Sequence, residues 1–145
     1  MKRLFLVIAL LALSAGLSTA EDKITATIFK NPGCTCCDKY AGYLRENGFD
    51  VSVLEHPNMT LIKHKYGVRE DLEGCHTMIV GGYVVEGHVP VGPIKRLLSE
   101  KPAIKGISLP GMPEGSPGMS GEKEEPFTIY SITGEEGDAP AFAKE

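Results

Sequence analysis

Positive charge is scarce in this chain: 15 lysines and arginines stand against 19 aspartates and glutamates over 145 residues. Without a basic excess no surface can track a phosphate backbone, which removes nucleic acid from the expected partners. Long apolar runs are lacking as well. The longest, Leu4 to Leu13, falls well short of the roughly 20 apolar residues that a membrane-spanning helix needs. Lys2 and Arg3 precede it and Ser18-Thr19-Ala20 follows in a small-x-small pattern, so residues 1–20 read as a cleaved signal peptide. The expected mature chain, 21–145, keeps 13 basic against 19 acidic residues for a net charge of −6, and holds no second stretch of membrane length. It is long enough for one small domain and too short for two cores, and it carries no internal repeat.

The remaining sequence alternates strand and helix signals. Ile24 to Phe29 has the β-branching and alternation of a strand, and Asn31-Pro32-Gly33 breaks it. Tyr40, Tyr43, Leu44 and Asn47 then recur at helical spacing up to Gly48. Phe49 to Leu54 reads as a second strand, and Asn58 caps a short helix that ends at Gly67. Thr77–Val80 and Tyr83–Glu86, joined by Gly81-Gly82, form a predicted hairpin, and Pro90 to Glu100 a last helix. The order strand, helix, strand, helix, hairpin, helix predicts an α/β domain with a thioredoxin-like mixed sheet and flanking helices. Residues 101–126 are a Gly/Pro/Met-rich loop, and 127–145 a short β extension and tail, with Phe127 to Ile132 pairing near Ala141-Phe142.

Cysteine is also rare, but three of the four crowd together: Cys34, Cys36 and Cys37 share one tetrapeptide, and Cys75 follows 38 residues later. In an exported protein the bland expectation is two structural disulfides. Adjacent Cys36 and Cys37 argue against it, because neighbouring α-carbons are about 3.8 Å apart and a disulfide wants roughly 4.4–6.8 Å. The cluster falls at a strand-to-helix turn, where free amides and the helix dipole stabilise thiolates. Thiolates serve as nucleophiles and as soft-metal ligands. Cys34 and Cys37 have the C-x-x-C spacing of redox pairs, so a thiol–disulfide oxidoreductase is one reading; a structural bridge such as Cys34–Cys75 is another. The segment before the third strand lies beside this turn in the predicted topology, which brings Cys75 to the cluster as a fourth sulfur. Zinc knuckles come as two separated C-x-x-C pairs, and the second is missing. Adjacent thiolates suit the bridging of cuprous ions.

Softer donors complete the inventory. Met112 and Met119 each follow a glycine in the glycine-proline segment, where they serve as thioether ligands or as groove-filling apolar groups. His88, in Gly87-His88-Val89-Pro90, sits at a turn placed to overhang the cluster. His76 neighbours Cys75 but points to the opposite face in extended backbone. His56 and His64 read as surface groups, Met59 and Met78 as core.

Together Asn31-Pro32-Gly33-Cys34-Thr35-Cys36-Cys37, Gly74-Cys75-His76-Thr77, Gly87-His88-Val89-Pro90, Pro110-Gly111-Met112-Pro113 and Gly115-Ser116-Pro117-Gly118-Met119 resemble the CopG-like family of exported bacterial copper-resistance proteins. The resemblance runs from about Ile24 to Phe142. It implies a thioredoxin-like, periplasmic protein that holds copper, as Cu(I) with Cu(II) as a second state, in a multinuclear site of Cys34, Cys36, Cys37 and Cys75. His88, Met112 and Met119 fall in the matching motifs, and a role in copper redox conversion follows from the same resemblance. The partners it implies are copper ions, other periplasmic copper-handling proteins and electron donors. Two features depart from pattern: Cys75-His76-Thr77-Met78 lacks the proline that thioredoxin-type oxidoreductases place before the third strand, and the acidic tail after Thr133 matches poorly.

Overall fold

The computed structural model describes residues 22–145; the expected signal peptide, 1–20, lies outside the described residues. Strands β1 (Ile24–Lys30), β2 (Phe49–Glu55), β3 (Thr77–Val80), β4 (Tyr83–Glu86), β5 (Gly106–Ser108), β6 (Thr128–Ile132) and β7 (Ala141–Lys144) form one mixed sheet. Its order is β2-β1-β3-β4-β5-β6-β7. Helices α1 (Thr35–Glu46), α2 (Met59–Tyr66) and α3 (Val91–Glu100) connect the strands, with a short 3-10 turn at Glu70–Leu72. β1 and β2 run parallel, from Ile24 opposite Phe49 to Lys30 opposite Glu55, with α1 as the crossover. β3 returns antiparallel to β1, and β3 and β4 form the expected hairpin, whose Gly81 and Gly82 both have positive φ as a tight primed turn requires.

Alternation along each strand divides the core between two faces. Ile28, Met78, Val85 and Ile107 pack with Tyr40 and Leu44 of α1 and Ile94 and Leu97 of α3. Ile79, Val84 and Ile132 pack on the other face with Val68, Leu72 and Tyr66 at the end of α2. Cys37, Tyr40, Ala41 and Leu44 form the buried stripe of α1, so the cysteine turn is tied to the core through its own helix. Asn58 caps α2 by accepting from the Leu61 amide at 3.3 Å, and Gly67 ends it in the left-handed region.

The segment 101–126, expected as loop throughout, also supplies β5, which runs parallel to β4 and joins the β6–β7 extension to the main sheet. Three residues carry too little periodicity to announce a strand. Gly106 is required there, because a β-carbon would overlap the Val84 carbonyl of the adjoining strand. No helix among the described residues is long and apolar enough to cross a membrane.

Candidate metal centre

Cys34 is the N-cap residue of α1, and Cys36 and Cys37 lie in its first turn. Asn31-Pro32-Gly33 ends β1 with Gly33 at φ 75°, and the Cys34 amide donates to the Asn31 carbonyl at 3.2 Å. This turn brings three sulfurs to the positive end of the helix. Cys34 and Cys37 are joined as a disulfide with α-carbons 5.5 Å apart; Cys36 and Cys75 are free. The bridge is therefore the C-x-x-C pair and not Cys34–Cys75.

Cys75 arrives from the segment before β3. Its Sγ lies 3.2 Å from Cys34 Sγ, 3.3 Å from Cys36 Sγ and 3.4 Å from Cys37 Sγ. All four sulfurs fall within 4.8 Å of one another, and they are the one such group of metal-ligating side chains among the described residues. Cys37 is buried and the other three are partly exposed, so the cluster lies at the surface with its innermost sulfur closed off from solvent. Burial pushes the Cys75 thiol up to about 12, and its contact with Cys36 acts in the same direction. The helix-terminus argument for a lowered thiol therefore does not extend to Cys75, which lies on no helix.

The histidines and methionines take different stations. His88 is buried, and its Nδ1 lies 2.7 Å from the Pro117 carbonyl. A carbonyl only accepts, so Nδ1 carries the proton of the neutral ring and Nε2 is left as an acceptor with no partner. His76 alternates away from Cys75, as extended backbone dictates, and packs in a three-ring cluster with Tyr40 and His88, its centroid 4.6 and 5.0 Å from theirs and theirs 5.1 Å apart. Neither of its ring nitrogens has a hydrogen-bond partner among the described residues. Desolvation pulls both imidazoles below the ordinary histidine range. His64 is exposed and His56 partly so, while Met59 and Met78 are buried.

Met112 stands 56% exposed and lines an open groove together with Cys75, Asn31, Asn58, Thr60 and Glu73. Its place is fixed by backbone: Gly111 bridges Gly74 in parallel and donates its amide to the Glu73 carbonyl at 2.8 Å, so Met112 follows Gly111 as Cys75 follows Gly74. Met119 is half-buried beside Gly118, where a β-carbon would meet the Cys36 and Tyr40 backbone of α1. The structure thus gathers the four sulfurs into one cluster, with Met112 in the groove that opens on Cys75, while His88 and His76 lie outside the four-sulfur group.

Sequence reasoning missed a buried ion pair beside Cys75. Lys63 of α2 and Glu86 of β4 are both buried and in direct contact. Burial pushes the Glu86 carboxyl up, and the Lys63 ammonium, Thr77 hydroxyl and Gly74 amide pull against it. The signal was present in the periodicity: Met59, Ile62 and Lys63 form the inward stripe of α2, and a lysine on such a stripe demands a buried anion.

Two solved structures match the whole domain. They are described as copper resistance protein CopG, form 1 and form 2, each 32% identical, covering 85% of this chain and 98% of that chain, with TM-scores of 0.76 and 0.77. A family described as a protein of unknown function, DUF411, matches residues 72–119, the stretch that holds Cys75, His88, Met112 and Met119. No curated protein matches. The chain belongs to the CopG family.

Proposed function

We propose that this member of the CopG family is an exported, periplasmic copper-binding protein that holds Cu(I) in a multinuclear thiolate site built by Cys34, Cys36, Cys37 and Cys75. The observation that carries the reading is the position of Cys75 Sγ, 3.2–3.4 Å from all three sulfurs of the α1 turn. Four soft donors at mutual contact match cuprous copper, and sulfurs this close bridge neighbouring ions more readily than they enclose a single one. The donor chemistry fits the group, and the similarity to copper resistance protein CopG supports the same metal. Met112 is the rim thioether that first meets an arriving ion, and His88 and Met119 complete the surroundings of the cluster. The periplasmic address rests on the signal-like residues 1–20.

The C-x-x-C pair adds a redox step. Reduced Cys34 and Cys37 give up two electrons and two protons as their disulfide forms, and two Cu(II) ions take one electron each to become Cu(I). A thiol donor then restores the dithiol by exchange, becoming oxidised in turn. The decisive test is an anaerobic Cu(I) titration of the reduced protein against a competing chelator, repeated on Cys75→Ser. Removing an outer-shell partner already costs a metal site about 10–100-fold in affinity, so loss of this ligand is expected to cost at least as much. Weak binding by the wild type, or binding unchanged by the substitution, defeats the four-thiol site.

The Cys34–Cys37 disulfide favours one second reading, a thiol–disulfide oxidoreductase. It requires that metal-free protein reduce a disulfide substrate and that Cys75→Ser leave that activity intact.

A further inference from the structure

The residue that delivers the fourth sulfur is gripped at both ends of the one before it. Glu86 Oε1 accepts the Gly74 amide at 2.8 Å, while Lys63 Nζ donates to the Gly74 carbonyl at 3.1 Å. The two gripping groups contact each other, and Thr77 Oγ1 donates to Glu86 Oε2 at 2.7 Å, fixing the carboxylate. Gly74 itself has no room to shift, since a β-carbon there would meet the Gly87 backbone. Each gripping group comes from a different element, α2 and β4, and both are buried. A buried ion pair is a poor source of stability compared with apolar packing of the same volume, so its presence calls for another reason.

From this geometry we infer that Lys63 and Glu86 are positioning residues for the metal site: they clamp the Gly74 peptide from both sides and so hold Cys75 Sγ over the three-cysteine turn. Metal ligands are held by such outer partners, and loss of one costs about 10–100-fold in metal affinity. Here the partner acts on backbone, because cysteine has no second polar atom to grip. Lys63 also lines the groove that opens on Cys75, with the Glu86 carboxylate in contact with its ammonium.

The inference rests on the copper reading above, and the test separates the two. Single substitutions strand a buried charge and threaten folding, so both charges are removed together. Lys63→Met/Glu86→Leu removes the clamp, whereas Lys63→Met/Glu86→Gln keeps an amide oxygen to accept the Gly74 amide. Each is titrated with Cu(I) against a chelator, beside wild type and Cys75→Ser, with the Cu(I)–thiolate absorption recorded. The Leu variant is expected to lose about 10–100-fold in affinity and to take the absorption of Cys75→Ser, and adding Cys75→Ser to it costs little more. The Gln variant is expected to recover most of the loss, which a merely structural role for the pair would not produce. If the Leu variant fails to fold, Thr77→Val, which leaves both charges in place and frees the carboxylate, takes its place and is expected to weaken Cu(I) several-fold. A folded Leu variant, or in its absence Thr77→Val, with wild-type affinity while Cys75→Ser is impaired overturns the clamp alone. Failure of the wild type to bind through four thiols overturns the copper reading and the clamp with it.

Discussion

His76 carries two ring nitrogens without partners among the described residues, in a fully buried position against Tyr40 and His88. A charged imidazole there would lose its hydration and gain nothing in return, so the folded state holds the ring neutral to a lower pH than the unfolded chain does. In the unfolded chain the group takes its proton as pH falls through the ordinary histidine value of about 6.5. Below that point the unfolded state binds more protons than the folded state, and stability falls with acidification. The linkage limit is about 2 kcal/mol for this one ring at pH 5. The metal-free protein should therefore melt several degrees lower at pH 5 than at pH 7, and His76→Leu should reduce that difference, leaving the share that His88 contributes. Thermal unfolding of both proteins across this range checks it; a slope identical in the two would place the titration elsewhere. The residue identities of the sulfur cluster were legible in the sequence because cysteines are rare and their spacing is chemically restrictive. The inward stripe of α2 marks Lys63 as a buried cation, but its pairing with Glu86 was not legible, because it joins α2 to β4 and no local pattern couples the two.

At the scale of elements, the repeating order from β1 to α3 was legible because each strand and helix spells out its own period and ends on a glycine or proline signal. β5 was hidden: its three residues gain their identity as a strand from β4 and β6 on either side. The glycine-proline segment after β5 reads as a linker or a loop wrapped over the domain, and the structure seats it on the domain. Gly118 has φ 85°, and a β-carbon on it would lie 2.8 Å from the Tyr40 amide nitrogen and 2.9 Å from the Cys36 carbonyl oxygen. The loop therefore lies on the first turns of α1, the helix that carries three of the sulfurs. Gly118→Ala adds both a positive-φ strain and an overlap with helix backbone, neither of which a flexible side chain can absorb. It should cost about 1–3 kcal/mol of stability and displace Met119, while Met112, tied separately through Gly111 to Glu73, keeps its station. Denaturant unfolding reads the first effect, and oxidation of the two methionines followed by peptide mass reads the second. Equal reactivity of Met119 before and after the substitution would show that the contact does not seat the loop.

For the molecule as a whole, the proposed copper site and the disulfide draw on the same sulfurs. The Cys34–Cys37 bond takes two of the four donors and leaves Cys36 and Cys75, a pair with the contact distance of a thiolate site but half its ligands. On the proposed four-thiol site, copper binds the reduced fold in preference to the oxidised one, and the binding free energy appears twice. It first appears as stability: a ligand at 100 times its dissociation constant stabilises the state it binds by about 2.7 kcal/mol. For a domain of this size that is a rise in melting temperature on the order of 10 °C in reduced protein, with little or none in oxidised protein. It appears again in the disulfide couple, because whatever favours the dithiol makes the disulfide easier to reduce. For a two-electron couple about 30 mV corresponds to 1.4 kcal/mol, so the same copper excess should raise the midpoint potential of Cys34–Cys37 by about 60 mV. The sign distinguishes the proposals. A copper protein shows both shifts, and both vanish together in Cys75→Ser if the fourth sulfur is what makes the reduced cluster a better site. An oxidoreductase with an incidental affinity for copper keeps the potential of its C-x-x-C pair unchanged when Cys75 is removed, with metal present or absent. Measuring melting temperature and midpoint potential on the same samples therefore decides whether the lone distant cysteine is part of the chemistry or a bystander to it.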